Sequence, residues 1–111
     1  MENINNKQGL LNEIKQYIQK VNNSIQSVID DVRINNNLNN LVDLLEGLTY
    51  CFKGINLMNI ESIDIYIEEL KQNIVEILDG VENQDFNLIA DILEYEIIER
   101  IEDLNKILKN S

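Results

Sequence analysis

The chain has 111 residues, with 20 acidic side chains against nine basic ones, a net charge of −11, no His, no Pro, no Trp and one Cys. Without His there is no Ser-His-Asp or Cys-His catalysis and no His-ligated zinc or iron, and one Cys forbids an internal disulfide. The acidity argues against a nucleic-acid partner, because phosphate contacts need Lys and Arg.

The length suits one domain over 1–111 that can bury a core without a staple. The start, Met1-Glu2-Asn3-Ile4, has no cationic segment followed by an apolar core, so no secretory signal is expected, and no apolar run approaches a membrane span. A single Cys and no signal lead us to expect a cytoplasmic protein. The heavy use of Ile, Asn, Lys and Glu points to an AT-rich bacterial genome.

Leu11, Ile14, Ile18, Val21, Ile25, Val28 and Val32 step by three and four, the spacing that keeps side chains on one side of a helix. The pattern predicts a first helix from about Lys7 to Arg33, ended by the run Asn35–Asn37, because Asn competes for backbone hydrogen bonds and tolerates turns. A second stripe, Leu38, Leu41, Leu45, Leu48, Phe52 and Ile55, predicts a helix capped by Asn39 or Asn40 and ended near Gly54, Asn56 and Asn59. The third runs Ile63, Ile67, Leu70, Ile74, Ile77 and Val81. It is capped at Ser62 or Asp64, with Gly80 as its stop. Its entrance alternates like a strand, but a lone strand has no partner for its backbone. The fourth stripe is Phe86, Ala90, Leu93, Ile97, Ile101, Leu104 and Leu108, with Lys109 suited to the helix end and Glu96 four residues before Arg100 as a surface pair.

Leu41-Val42-Asp43-Leu44-Leu45-Glu46 reads against Ile89-Ala90-Asp91-Ile92-Leu93-Glu94 at a shift of 48, and the first and third stripes align at a shift of 49. These matches suggest two repeated helical hairpins, 7–55 and 60–109. Two hairpins with one apolar side each must bury those sides together. The expected fold is all-α, an antiparallel up-down-up-down four-helix bundle. The rival arrangement is a homodimer of long hairpins, which heptads serve equally.

Charge is uneven: residues 1–55 carry a net −1 and residues 56–111 a net −10. This asymmetry bears on solubility and partner choice. Asp43, Glu46, Asp91 and Glu94 recur in both halves, which invites a carboxylate metal site. Di-iron bundles use a Glu-x-x-His motif that is missing here, and no Asp-rich loop suits Mg²⁺ or Ca²⁺. We expect no metal, no cofactor and no catalytic residue, with these acids facing solvent. Gly47 and Gly54 share a helical face and suggest close helix packing, and Cys51 reads as a small buried hydrophobe. Tyr17, Tyr50, Tyr66 and Tyr95 are expected at core margins.

A second apolar strip stands out on the last helix. Leu88, Ile92 and Tyr95 fall opposite the main stripe, with Ile98 nearby. Either the bundle buries this helix widely, or the strip meets a partner; Leu88, Ile92, Tyr95 and Ile98 are the partner-binding residues expected from sequence.

The segments Asn40-Leu41-Val42-Asp43-Leu44-Leu45-Glu46-Gly47-Leu48 and Ala90-Asp91-Ile92-Leu93-Glu94-Tyr95-Glu96-Ile97 resemble a family of small, acidic, all-helical, uncharacterised proteins of Gram-positive bacteria, a domain of unknown function. That resemblance implies the helical fold and no activity. On fold class alone the chain is also similar to small flagellar secretion chaperones. The expected function is a non-catalytic adaptor or chaperone-like module that binds a protein through an apolar helical surface. The alternative is a self-associating structural dimer, and a metal carrier or enzyme ranks below both.

Overall fold

The computed structural model describes residues 2–58 and 63–109. Among them there are helices and no strands: α1 (Glu2–Asn35), α2 (Asn39–Met58), α3 (Asp64–Glu82), α4 (Phe86–Ile92) and α5 (Ile98–Lys109). A π-helical segment, Leu93–Ile97, joins α4 to α5 as one rod. The result is an all-α, antiparallel four-helix bundle of 49 × 22 × 20 Å. Its long axis is the length of α1, since 34 residues at 1.5 Å rise span about 51 Å.

The first stripe is buried throughout, from Leu11 to Val32. Against it pack Leu41, Leu44, Leu48, Cys51, Phe52 and Ile55 of α2, then Ile89, Leu93, Ile97, Ile101, Leu104 and Leu108 of the last rod. Each fully buried Ile or Leu contributes about 1.5–3 kcal/mol, so this aliphatic column is the main stabilising term. On α2 and α3, by contrast, Leu45, Ile74 and Val81 are only partly buried, as is Leu38 just before α2.

The chain turns where polar side chains take over backbone partners. Asn36 adopts a left-handed φ of 51°, and the Asn37 side chain accepts a hydrogen bond from the Asn39 backbone N–H at 3.0 Å. Asn37, one residue before the N-cap position Leu38, thus takes the first free N–H of α2, in place of the expected caps Asn39 or Asn40. α3 ends in a Schellman turn: Gln84 has φ 55°, Asp85 N–H donates to Gly80 O at 2.8 Å and Gln84 N–H to Val81 O at 3.1 Å. Asp85 then caps α4 by accepting from Leu88 N–H at 3.2 Å.

Two glycines expected as helix ends are interior instead. α2 continues past Gly54 to Met58, and α3 past Gly80 to Glu82. Both are buried at close contacts: a methyl at Gly54 would stand 2.6 Å from Ile14 Cδ1, and one at Gly80 2.9 Å from Ile89 Cγ1. Gly47 admits the Tyr17 ring in the same way. The N-cap position of α3 is Ile63, with no side-chain cap, and Asp64 is in the first turn. The expected cap Ser62 and the helix-end marker Asn59 lie outside the described residues.

The π segment has a readable cause. Ile89, Leu93, Ile97 and Ile101 step by four three times, which drifts about 120° around an α-helix of 3.6 residues per turn. One wider turn takes up that drift and keeps Leu93, Ile97, Ile101, Leu104 and Leu108 on the core.

Candidate functional site

The bundle is unevenly closed. α1 packs on α2 and on the last rod, α3 packs on that rod, and α2 with α3 is not among the closely packed pairs. Between α2 and α3 lies an open groove of about 390 Å³, lined by Val42, Leu45, Glu46 and Thr49 from α2 and by Ile74 and Leu78 from α3. These positions follow helical spacing, Val42, Leu45/Glu46, Thr49 on one wall and Ile74, Leu78 on the other. Val42, Val75 and Leu78 are each more than half exposed, at 51%, 58% and 53%. Neighbouring apolar side chains exposed to this degree are the kind of surface a folded partner covers.

Electrostatics separate the closed seam from the open one. On the α1–α4 side, Arg33 Nη2 lies 2.7 Å from Asp91 Oδ1 and Nη1 lies 3.1 Å from Glu94 Oε2. The hydrogen bond to Glu94 and the two nearby carboxylates hold the Arg33 guanidinium above its ordinary pKa. At the shift of 49 Arg33 corresponds to Glu82, and at the shift of 48 Asp91 and Glu94 correspond to Asp43 and Glu46. Where one seam has a cation between two carboxylates, the corresponding positions of the other hold three acids. Among the described residues no ion pair joins α2 to α3.

A second groove, about 400 Å³, runs between α1 and α2 and is walled by Lys20, Ser24, Ser27, Asn40 and Asp43 among others. At its margin Tyr17 and Tyr50 lie 6.2 Å apart, ring centroid to centroid, and Tyr50 Oη donates to Glu13 Oε1 at 3.0 Å, which raises its pKa. The groove is mixed in character, with polar and apolar side chains along its walls.

A polar cluster interrupts the aliphatic contact of α3 with the last rod. Buried Asn73 donates from Nδ2 to Glu96 Oε1 at 3.2 Å, while its Oδ1 has no partner. Arg100 Nη1 donates to the Glu96 backbone O at 3.3 Å, and Arg100 Nε stands 3.2 Å from Glu69 Oε2 as an ion pair off the hydrogen-bond line. The expected surface pair of Glu96 and Arg100 is thus replaced: Arg100 reaches across to α3, because Glu96 is turned to Asn73.

The four partner-binding residues read from sequence are divided by the fold. Leu88 and Tyr95 are exposed, at 41% and 69%, but Ile92 is core and Ile98 packs against the core. The cause is that α4 is packed between α1 and α3, so its buried arc is wide enough to include Ile92. Asp91 is exposed, as expected, and Glu94 is half-buried; both pair with Arg33. Sequence reading missed the α2–α3 groove, although its signal was present: Val42, Val75 and Leu78 lie beside their stripes rather than on them.

Chemistry at the remaining groups is limited. Cys51 is buried, and burial alone pushes its thiol up to about 12, the opposite of an activated nucleophile. Among the described residues no three His, Cys, Asp or Glu side chains are grouped to hold a metal, and no helix is long and apolar enough to cross a membrane.

The chain belongs to the family described as Domain of unknown function (DUF8042), whose model matches residues 9–107. No curated protein and no solved structure matches it.

Proposed function

We propose, from a family that brings no assigned activity, that this protein is a non-catalytic interaction module which docks another polypeptide through the apolar seam between α2 and α3. One observation carries the reading: Val42, Val75 and Leu78 are over half exposed beside a groove that α2 and α3 leave open. A helical surface laid there would cover them as helix-in-groove recognition does. The bundle is read as a doubled hairpin, 7–55 and 60–109, in which one of two corresponding seams has stayed open for a partner. The excess of acid over base is poorly suited to nucleic acid, and a lone buried thiol suits a cytoplasmic location. Leu88 and Tyr95 form a smaller second surface.

The test is a photo-crosslinking residue at position 78, at 95 or at 102, the last on the exposed acidic face, in cells that make the protein. A polypeptide adduct from position 78 alone supports the seam. Adducts from 95 alone move the docking surface to the Leu88 and Tyr95 strip. Adducts from none of them overturn the reading.

A further inference from the structure

The rods of the bundle are joined in an open series. α1 packs closely on α2 and on the last rod, and that rod packs on α3, so α3 has one closely packed neighbour. The same is true of α2, but the two end helices are held unequally. α2 buries Leu41, Leu44, Leu48, Cys51, Phe52 and Ile55. On α3 the buried positions are Ile67, Leu70, Asn73, Ile77 and Gly80, and Asn73 and Gly80 bring no apolar side chain to the contact. The hydrophobic driving force follows the apolar area removed from water, so it is smaller for α3.

Docking α3 also carries a penalty. Asn73 is 2% exposed and, among the described residues, the only polar residue in the core. No donor of the protein faces its Oδ1, so docking buries a carbonyl oxygen unpaired, a cost relieved on undocking. The Glu69–Arg100 ion pair to the rod lies at partial exposure, where such pairs contribute little. As a helix, α3 is weakly finished at both ends. Its N-cap position, Ile63, has no side-chain cap, and its last turn holds Asp79 and Glu82 with no basic residue, the wrong charge for a C-terminal end.

The rod does not depend on α3 in return. Asp85 caps α4 from within the turn, through Leu88 N–H, and α1 packs along the rod on its other side. We infer that α3 is a lid on the last rod: it undocks as a unit in a sub-global opening while α1, α2 and the rod stay packed. The opening bares the rod from Ile89, which packs at Gly80, to Arg100, which pairs with Glu69. It is a property of the chain alone and holds whatever docks between α2 and α3.

The experiment is native-state hydrogen exchange of the purified protein, read by mass spectrometry at several urea concentrations below the unfolding transition. The slowest amides of α3 are expected to exchange at least about tenfold faster than the slowest of α1, with a shared urea dependence shallower than that of global unfolding. Two variants separate undocking from other routes. Gly54→Ala sets a methyl 2.6 Å from Ile14 Cδ1, on the contact of α2 with α1. It is expected to hasten exchange in α1 and to leave α3 within about twofold of wild type, because undocking does not break that contact. Asn73→Leu removes the unpaired oxygen and is expected to slow α3 exchange at least about threefold. Equal protection of α1 and α3 in wild type overturns the inference. So does Gly54→Ala hastening both helices by one factor, which marks a single cooperative unit, and so does Asn73→Leu leaving α3 unchanged, which marks fraying. The wild-type comparison and Asn73→Leu decide by themselves if Gly54→Ala does not fold.

Discussion

Arg33 Nη2 stands 2.7 Å from Asp91 Oδ1, so the last turn of α1 is tied to α4 across the bundle while the corresponding positions of α2 and α3 are not joined. With Glu94 on its other nitrogen, the guanidinium spans two carboxylates at partial exposure. Arg33→Gln is expected to lower the urea midpoint slightly, with the loss shrinking as salt is raised. Urea unfolding at low and high NaCl measures both.

The same logic run in reverse applies to the open seam. Glu82→Arg places a cation where the corresponding position of the other seam has Arg33. It is expected to raise stability by up to about 1 kcal/mol by drawing α3 toward Glu46. The variant should also lose docking at the seam, since the groove narrows. An unchanged urea midpoint would contradict this account of why the two seams differ.

Glycine substitutions should divide by what a methyl meets. Gly9 is exposed with nothing within 4 Å of an added Cβ, so Gly9→Ala is expected to gain about 0.5–1 kcal/mol of helix propensity. Gly54→Ala drives its methyl against Ile14 Cδ1, so this fully buried side chain must shift, and the change is expected to cost about 1–3 kcal/mol. Thermal melts of the two variants should shift in opposite directions.

Cys51 sets a pH dependence whose sign follows from its burial. Its thiol is held up to about 12 in the folded protein against 9.0 in an exposed one, so above about pH 9 the unfolded chain releases a proton that the folded chain keeps. Stability is whole below that point and falls as pH rises through the interval, by at most about 1.4 kcal/mol per pH unit. Tyr50, raised above 10.0 by its bond to Glu13, adds in the same direction. Cys51→Ala should flatten the slope between pH 9 and 11 and leave the Tyr50 part, whatever it does to stability at neutral pH.

The π segment predicts a tolerated deletion. Removing Tyr95, exposed at 69%, turns the step from Leu93 to Ile97 into three and restores alternation of three and four along the last rod. The deletion variant is expected to stay helical, with unfolding cooperativity preserved. A molten variant would mean that the wide turn does more than absorb a register drift.

Much of the fold could be read before any coordinate. Sustained three-four stepping over α1 names its buried residues from Leu11 to Val32, because nothing but one helical face satisfies that pattern. Helix ends were less legible. Gly54 and Gly80 look like stops in sequence, since glycine serves both chain reversal and close approach, and only the neighbour, Ile14 or Ile89, decides between them. The interaction surface was legible least. Whether Ile92 or Val42 faces water depends on which helices lie beside each one, and a single helical wheel carries no such information.

Asn73 sets the alignment of α3 along its neighbour. Rows of Ile and Leu would accept a slide of one full helical turn at little cost, since one branched aliphatic replaces another. An amide in the row does not allow it: displaced by a turn, its Nδ2 would lose Glu96 as its Oδ1 already lacks a partner, and desolvated groups would stand unpaired on both atoms. One side chain thereby picks a single axial position for α3 out of several that hydrophobicity alone would tolerate.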